Sequence, residues 1–154
     1  MSVQEGKKAP NFKLPAADGS EVSLKDFQGK NVVLYFYPKD MTPGCTQEAC
    51  DFRDGFKDFT KANAVIIGMS PDSPSSHQKF IANQKLPFIL VSDEDKEVLK
   101  SYGVWKEKSM YGRKYMGVER TTLLIDKLGK IRKIYPKVKV KEHAKEVFKD
   151  LRDL

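Results

Sequence analysis

Short β-branched apolar runs alternate along this chain with longer stretches of helical spacing. The run NVVLYFY, Asn31 to Tyr37, is almost continuously apolar, as expected of a strand covered on both faces. AVIIGMS (64–70), FILVS (88–92), TTLLID (121–126) and KIRKIY (130–135) read as further strands, the last two joined by a turn from Asp126 to Gly129. Helical spacing predicts a helix from about Pro43 to Ala62. Another opens at Ser73 and Pro74, an N-cap followed by a first-turn proline, and runs toward Gln84. DKEVLKSYG gives a short helix that Gly103 can end. In the final helix Val140, Ala144, Val147, Phe148 and Leu151 form one apolar stripe. Near the start, NFKLPAADGSEVSL reads as two extended pieces around an Asp18-Gly19 turn. The polar, glycine-punctuated span VWKEKSMYGRKYMGVER reads as loop with some strand. There, ordinary packing is preferred for Trp105, Tyr111, Tyr115 and Met116 over a pocket lining or a partner surface. This order predicts an α/β protein with a mixed central sheet flanked by helices. No repeat, low-complexity tract or linker divides it, so residues 1–154 read as a single domain.

Composition changes the picture in two places. A chain of 154 residues can bury a core without disulfide or metal staples, so its two cysteines read as chemistry before scaffolding. The net charge of +7 lies entirely in residues 104–154. Much of it sits on the polar face of the final helix, where solvation explains it without nucleic acid, although attraction to acidic partners stays open. The start has no apolar signal run and no stretch reaches about 18 apolar residues. The expectation is a soluble cytoplasmic protein with neither a membrane nor a nucleic-acid partner.

The chemistry concentrates in YPKDMTPGCTQEACDF, which holds both cysteines, Cys45 and Cys50. Thr42 and Pro43 form a helix start directly before Gly44 and Cys45. Unpaired backbone N–H groups and the helix dipole favour an anion in that first turn, where a thiolate nucleophile gains most. Cys45, Ala49, Phe52, Phe56 and Phe59 trace one apolar stripe, so Cys45 faces the protein body and Cys50 does not. Five residues along an ideal helix separate their Cα atoms by about 8.7 Å, beyond the roughly 7 Å that a disulfide bridges. A bond between them therefore requires the first helical turns to unwind. Cys45 as a small buried hydrophobe remains an alternative. A zinc site lacks ligands, since no C-x-x-C exists and His77 and His143 fall in separate helices. Both histidines read as surface residues.

The segment YPKDMTPGCTQEACDFRD resembles the active site of the peroxiredoxins, specifically the Q type, or bacterioferritin comigratory proteins. The resemblance rests on P-x-x-x-T-P-G-C with a second cysteine five positions later. It extends through APNFKLPAADG, IIGMSPDSPSSHQKF and YGRKYMGVERTTLLID. It implies a thioredoxin-like fold with an amino-terminal β-hairpin extension, no cofactor or metal, and often a monomer. It also implies a hydroperoxide substrate and reduction by thioredoxin or a similar dithiol. By the same resemblance Cys45 is the peroxidatic and Cys50 the resolving cysteine, joined in an intramolecular disulfide, while Pro38, Thr42 and Arg120 complete the peroxide site. Read by themselves, Thr42 is also an N-cap, Arg120 a surface arginine at a strand start, and Glu48 a first-turn carboxylate suited to the dipole. Competing functions are a general thiol–disulfide oxidoreductase, which would use the absent C-x-x-C, and a binding protein with a basic surface.

Overall fold

The computed structural model describes residues 3–154. The first hairpin pairs β1 (Lys13–Pro15) with β2 (Glu21–Ser23). Gly19 takes φ +85° at its turn, and the Asp18 carboxylate accepts from the Ser20 amide and hydroxyl, the Asx geometry expected there. After a short 3-10 turn at Leu24–Phe27 comes β3 (Asn31–Phe36), with every residue buried. It is the middle strand of five. β4 (Ala64–Ser70) and β5 (Ile89–Ser92) extend the sheet in parallel on one side, while β8 (Thr121–Ile125) and β9 (Ile131–Tyr135) extend it antiparallel on the other.

The pleat of β3 divides the core. Val33, Tyr35 and Tyr37 point to the face that also buries Cys45, Phe52, Phe80 and Val147, whereas Val32, Leu34 and Phe36 meet Leu99, Tyr102 and Phe12. Helices α1 (Pro43–Asp54), α2 (Phe56–Lys61), α3 (Pro74–Gln84) and α5 (His143–Arg152) contribute to the first face. α4 (Glu97–Ser101) contributes to the second. Gly68 of β4 leaves room for the Tyr35 ring: a Cβ there would lie 2.9 Å from Tyr35 Cζ and 2.7 Å from Leu90 Cδ2.

Four expectations change. The single helix predicted from Pro43 to Ala62 is broken at Gly55, whose φ −94° and ψ 2° end α1 and start α2. Val140 precedes the last helix, which begins at His143, so the stripe inside it is Ala144, Val147, Phe148 and Leu151, with Phe148 only partly buried. The polar span after Gly103 is a regular hairpin, β6 (Trp105–Met110) with β7 (Arg113–Val118), outside the main sheet. Of the four residues assigned to packing there, Trp105 is half-buried against the second core face, but Tyr111, Tyr115 and Met116 are exposed. Ser73 does cap α3, its hydroxyl oxygen accepting from the Ser76 amide at 3.2 Å. Among the described residues no helix is long and apolar enough to cross a membrane.

Candidate active site

Cys45 is the third residue of α1 and is buried beneath the end of β3. Thr42 has N-cap backbone geometry, yet its hydroxyl does not cap: it donates back to the Lys39 carbonyl at 2.9 Å and so tightens the loop between β3 and α1. Pro38 lies half-buried in the same loop, just past the strand. Arg120 arrives from the other side of the sheet, directly before β8, where its carbonyl accepts the Val138 amide at 2.9 Å. Its Nη2 donates to Cys45 Sγ at 3.3 Å and its Nη1 donates to Glu48 Oε1 at 2.6 Å. A Cβ on Gly44 would come within 3.3 Å of that Nη2, so the glycine before the cysteine clears the path of the guanidinium.

The arrangement gathers charge in a dry place. Burial pulls the Arg120 guanidinium down, but the charges of Glu48 and Cys45 and their hydrogen bonds outweigh it, leaving the group more firmly protonated than usual. Burial pushes the Glu48 carboxyl up to about 7, against the opposing pull of Arg120. Glu48 Oε2 and the Tyr35 hydroxyl, both buried, have no hydrogen-bond partner among the described residues. Desolvation, then the charges of Glu48 and Cys45, raise the Tyr35 phenol well above its ordinary range. From β6, half-buried Lys108 is held below the usual lysine value by burial and by Arg120, with Cys45 opposing.

Cys50 lies on a different face of α1. It is half-buried, and its thiol donates to Gln84 Oε1 at 3.3 Å at the end of α3, where Arg53 also donates to the Gln84 carbonyl at 2.7 Å. Both thiols are free in an unbroken helix. The structure thus brings Cys45, Arg120 and Glu48 into contact, puts Pro38 and Thr42 in the adjoining loop, and holds Cys50 apart.

Neither histidine is the surface residue expected. His77 Nδ1 lies 2.7 Å from Asp40 Oδ2 and its Nε2 donates to the Val91 carbonyl at 3.0 Å. His143 packs edge-on against Phe52 and Tyr135, with Nε2 2.8 Å from the Thr122 hydroxyl. Asp40, Asp72 and His77 approach one another closely enough to resemble a cation site. Both carboxylates are already hydrogen-bonded: Asp40 accepts from the Tyr37 and Ser76 hydroxyls at 2.6 and 2.8 Å, and Asp72 Oδ2 from the Asp40 amide and the Ser70 hydroxyl. This network fixes Asp40, midway through the loop that carries Pro38 and Thr42. Its signal in the sequence is faint, a histidine one turn before Phe80 on the buried side of α3. The cleft of about 600 Å³ between α2 and α5, lined by Phe59 and Phe148, includes none of the predicted site residues.

Comparison with known proteins places the chain in a family. Residues 5–134 match the AhpC/TSA family. The chain is 50% identical over 154 residues to peroxiredoxin Bcp of Bacillus subtilis, covering 100% of this chain and 98% of that one. It is 43% identical over 151 residues to peroxiredoxin Bcp of Escherichia coli K12, covering 98% and 97%. Among solved structures, peroxiredoxin Q of Xanthomonas campestris superposes with a TM-score of 0.88 at 42% identity, over 92% of this chain and 90% of that one. A cysteine-to-serine mutant of the Xylella fastidiosa PrxQ gives 0.94 at 37% identity, over 99% and 98%. The five-stranded mixed sheet flanked by helices is therefore the thioredoxin-like fold, and the chain belongs to the AhpC/TSA family as a peroxiredoxin of the Q, or bacterioferritin comigratory, type.

Proposed function

We propose that the protein is a thiol peroxidase that reduces hydroperoxides through Cys45 and resolves through Cys50. The observation that carries the reading is the Arg120 guanidinium 3.3 Å from Cys45 Sγ at a helix N-terminus. Two sources of positive potential converge on one sulfur, so the thiolate and the charge moving onto a departing oxygen are both stabilised. The Cys45 thiolate attacks one peroxide oxygen and the O–O bond breaks. Cys45 becomes a sulfenic acid, and the other oxygen leaves with a proton as water or an alcohol. Pro38 shields the sulfur from water and the Thr42 hydroxyl, released from Lys39, positions the peroxide. Alkyl peroxide reduction has been examined in the Xanthomonas campestris bacterioferritin comigratory protein, and the same substrate class suits this chain.

In the second step the Cys50 thiol condenses with the sulfenic acid, forming the S–S bond and releasing water. Because Cys50 rests on Gln84 while Cys45 faces the core, the first turns of α1 open for this step. A dithiol reductant such as thioredoxin then restores both thiols by exchange, itself becoming a disulfide. The test is steady-state peroxide consumption with a dithiol reductant. Cys45→Ser is expected to have no turnover. Cys50→Ser should still form one sulfenic acid per chain but close no internal disulfide. Undiminished activity in Cys45→Ser would overturn the assignment.

A further inference from the structure

The hairpin of β6 and β7 ends in a two-residue turn, Tyr111-Gly112, between the paired residues Met110 and Arg113. Both turn residues have positive φ, 53° and 78°, which is the type I′ geometry that asparagine and glycine adopt with least strain. A bulky aromatic in the left-handed region is unfavourable. Tyr111 is nevertheless 98% exposed, so no contact among the described residues offsets that strain. Met110, Tyr115 and Met116 are also exposed, at 56%, 43% and 50%. Apolar side chains kept in water at the tip of a projection, with local strain, point to something outside the chain.

The register says what kind of surface fits. Met110 and Tyr115 lie on one face of the hairpin and Met116 on the other, with Tyr111 at the end. Cations are likewise divided, Lys106, Lys108 and Arg113 on the first face and Lys114 on the second; Lys106 is paired with Glu119 at 2.9 Å and Lys114 lies 3.9 Å from Glu107, while Arg113, beside the turn, has no acidic partner among the described residues. A protein partner docks against one face. A tip with apolar side chains on both faces and a net excess of cations is suited to a medium that surrounds it, namely the headgroup layer of an anionic bilayer, where tyrosine sits at the interface and long cationic side chains reach outward to phosphates.

We propose that the β6–β7 hairpin is a peripheral contact for anionic lipid surfaces. This departs from the expectation of no membrane partner, which rested on the lack of a spanning segment; a surface contact needs none. Lys108 feels the charges of Cys45 and Arg120, so the same hairpin would hold the catalytic sulfur beside the bilayer. The binding claim itself does not depend on the peroxidase reading.

The test is flotation of the full chain with vesicles of phosphatidylcholine alone and of phosphatidylcholine mixed with phosphatidylglycerol. The protein is expected to float with the mixed vesicles at low salt and with neither at high salt. Tyr111→Asn gives the turn its preferred residue, so the variant should melt no lower than the wild type and reduce free hydrogen peroxide at the same rate. Its apparent affinity for the mixed vesicles is expected to fall on the order of tenfold. Replacing Arg113 or Lys114 by glutamine should lower it about fivefold for each charge removed. Failure of the wild type to float with anionic vesicles would overturn the proposal. So would unchanged binding by Tyr111→Asn, which would assign any attraction to the basic last helix instead.

Discussion

Replacing Glu48 by glutamine tests the electrostatics of the site through stability alone. Glu48 is buried, one oxygen meets Arg120 Nη1 at 2.6 Å and the other has no partner among the described residues. Its carboxyl stands at about 7 in the folded protein against an ordinary value of 4.5, chiefly because burial disfavours the charge. A folded-state value above the unfolded one means that the folded protein binds the proton more tightly. Its unfolding free energy therefore falls as pH rises through this window, and no further loss follows once both states are ionised. The rise from 4.5 to about 7 sets a ceiling of roughly 3 kcal/mol on that loss between pH 4.5 and 8. Glutamine does not titrate and keeps a carbonyl for Arg120. The stability of Glu48→Gln relative to wild type should therefore improve with pH by up to about 3 kcal/mol, most steeply between pH 5 and 7. Urea unfolding of both proteins at a series of pH values measures this, because groups titrating alike in both cancel in the difference. A difference constant to within about 0.5 kcal/mol across that range would refute the burial argument.

Arg120→Lys keeps a positive charge but replaces a planar fork, which reaches Cys45 and Glu48 with separate nitrogens, by a single ammonium. The rate of peroxide reaction should fall on the order of a hundredfold, and stopped-flow mixing with peroxide reads it directly; a near wild-type rate would show that charge alone suffices. Gly68→Ala puts a methyl 2.7 Å from Leu90 Cδ2 and 2.9 Å from Tyr35 Cζ. It should destabilise the protein by about 1–3 kcal/mol in urea unfolding, and an unchanged midpoint would mean that the Tyr35 ring has room to move.

The elements legible in the sequence were those whose pattern is set by burial on the sheet or by explicit caps. The apolar run of β3 and the Ser73-Pro74 start of α3 left little choice. The helix break at Gly55 was not legible, because periodicity carries through from Phe52 to Phe59 on either side of it. The β6–β7 hairpin was obscured because its strands lack a buried face, so no alternation of apolar and polar residues marks them. Tyr111-Gly112 also hides the turn behind an unusual first residue. At the site, the helix-start logic pointed to Cys45 from local sequence alone. Arg120 did not follow from local pattern, since its contact with Cys45 spans 75 positions and depends on β8 pairing beside β3. The buried histidines were misread for a related reason: a polar residue on a helix is assigned to solvent unless its partners are known. For His77 those partners, Asp40 and the Val91 carbonyl, come from other elements.

Cys45 and Cys50, separated on an intact helix, are proposed to become one redox couple when α1 opens. Intact mass of the reduced protein before and after one equivalent of hydrogen peroxide tests it most directly. The expected product is two hydrogens lighter with no added oxygen, and, for Cys50→Ser, one oxygen heavier, trapped at Cys45. Wild-type protein that gains oxygen without losing the two hydrogens, or that forms only dimers linked between chains, would contradict the account.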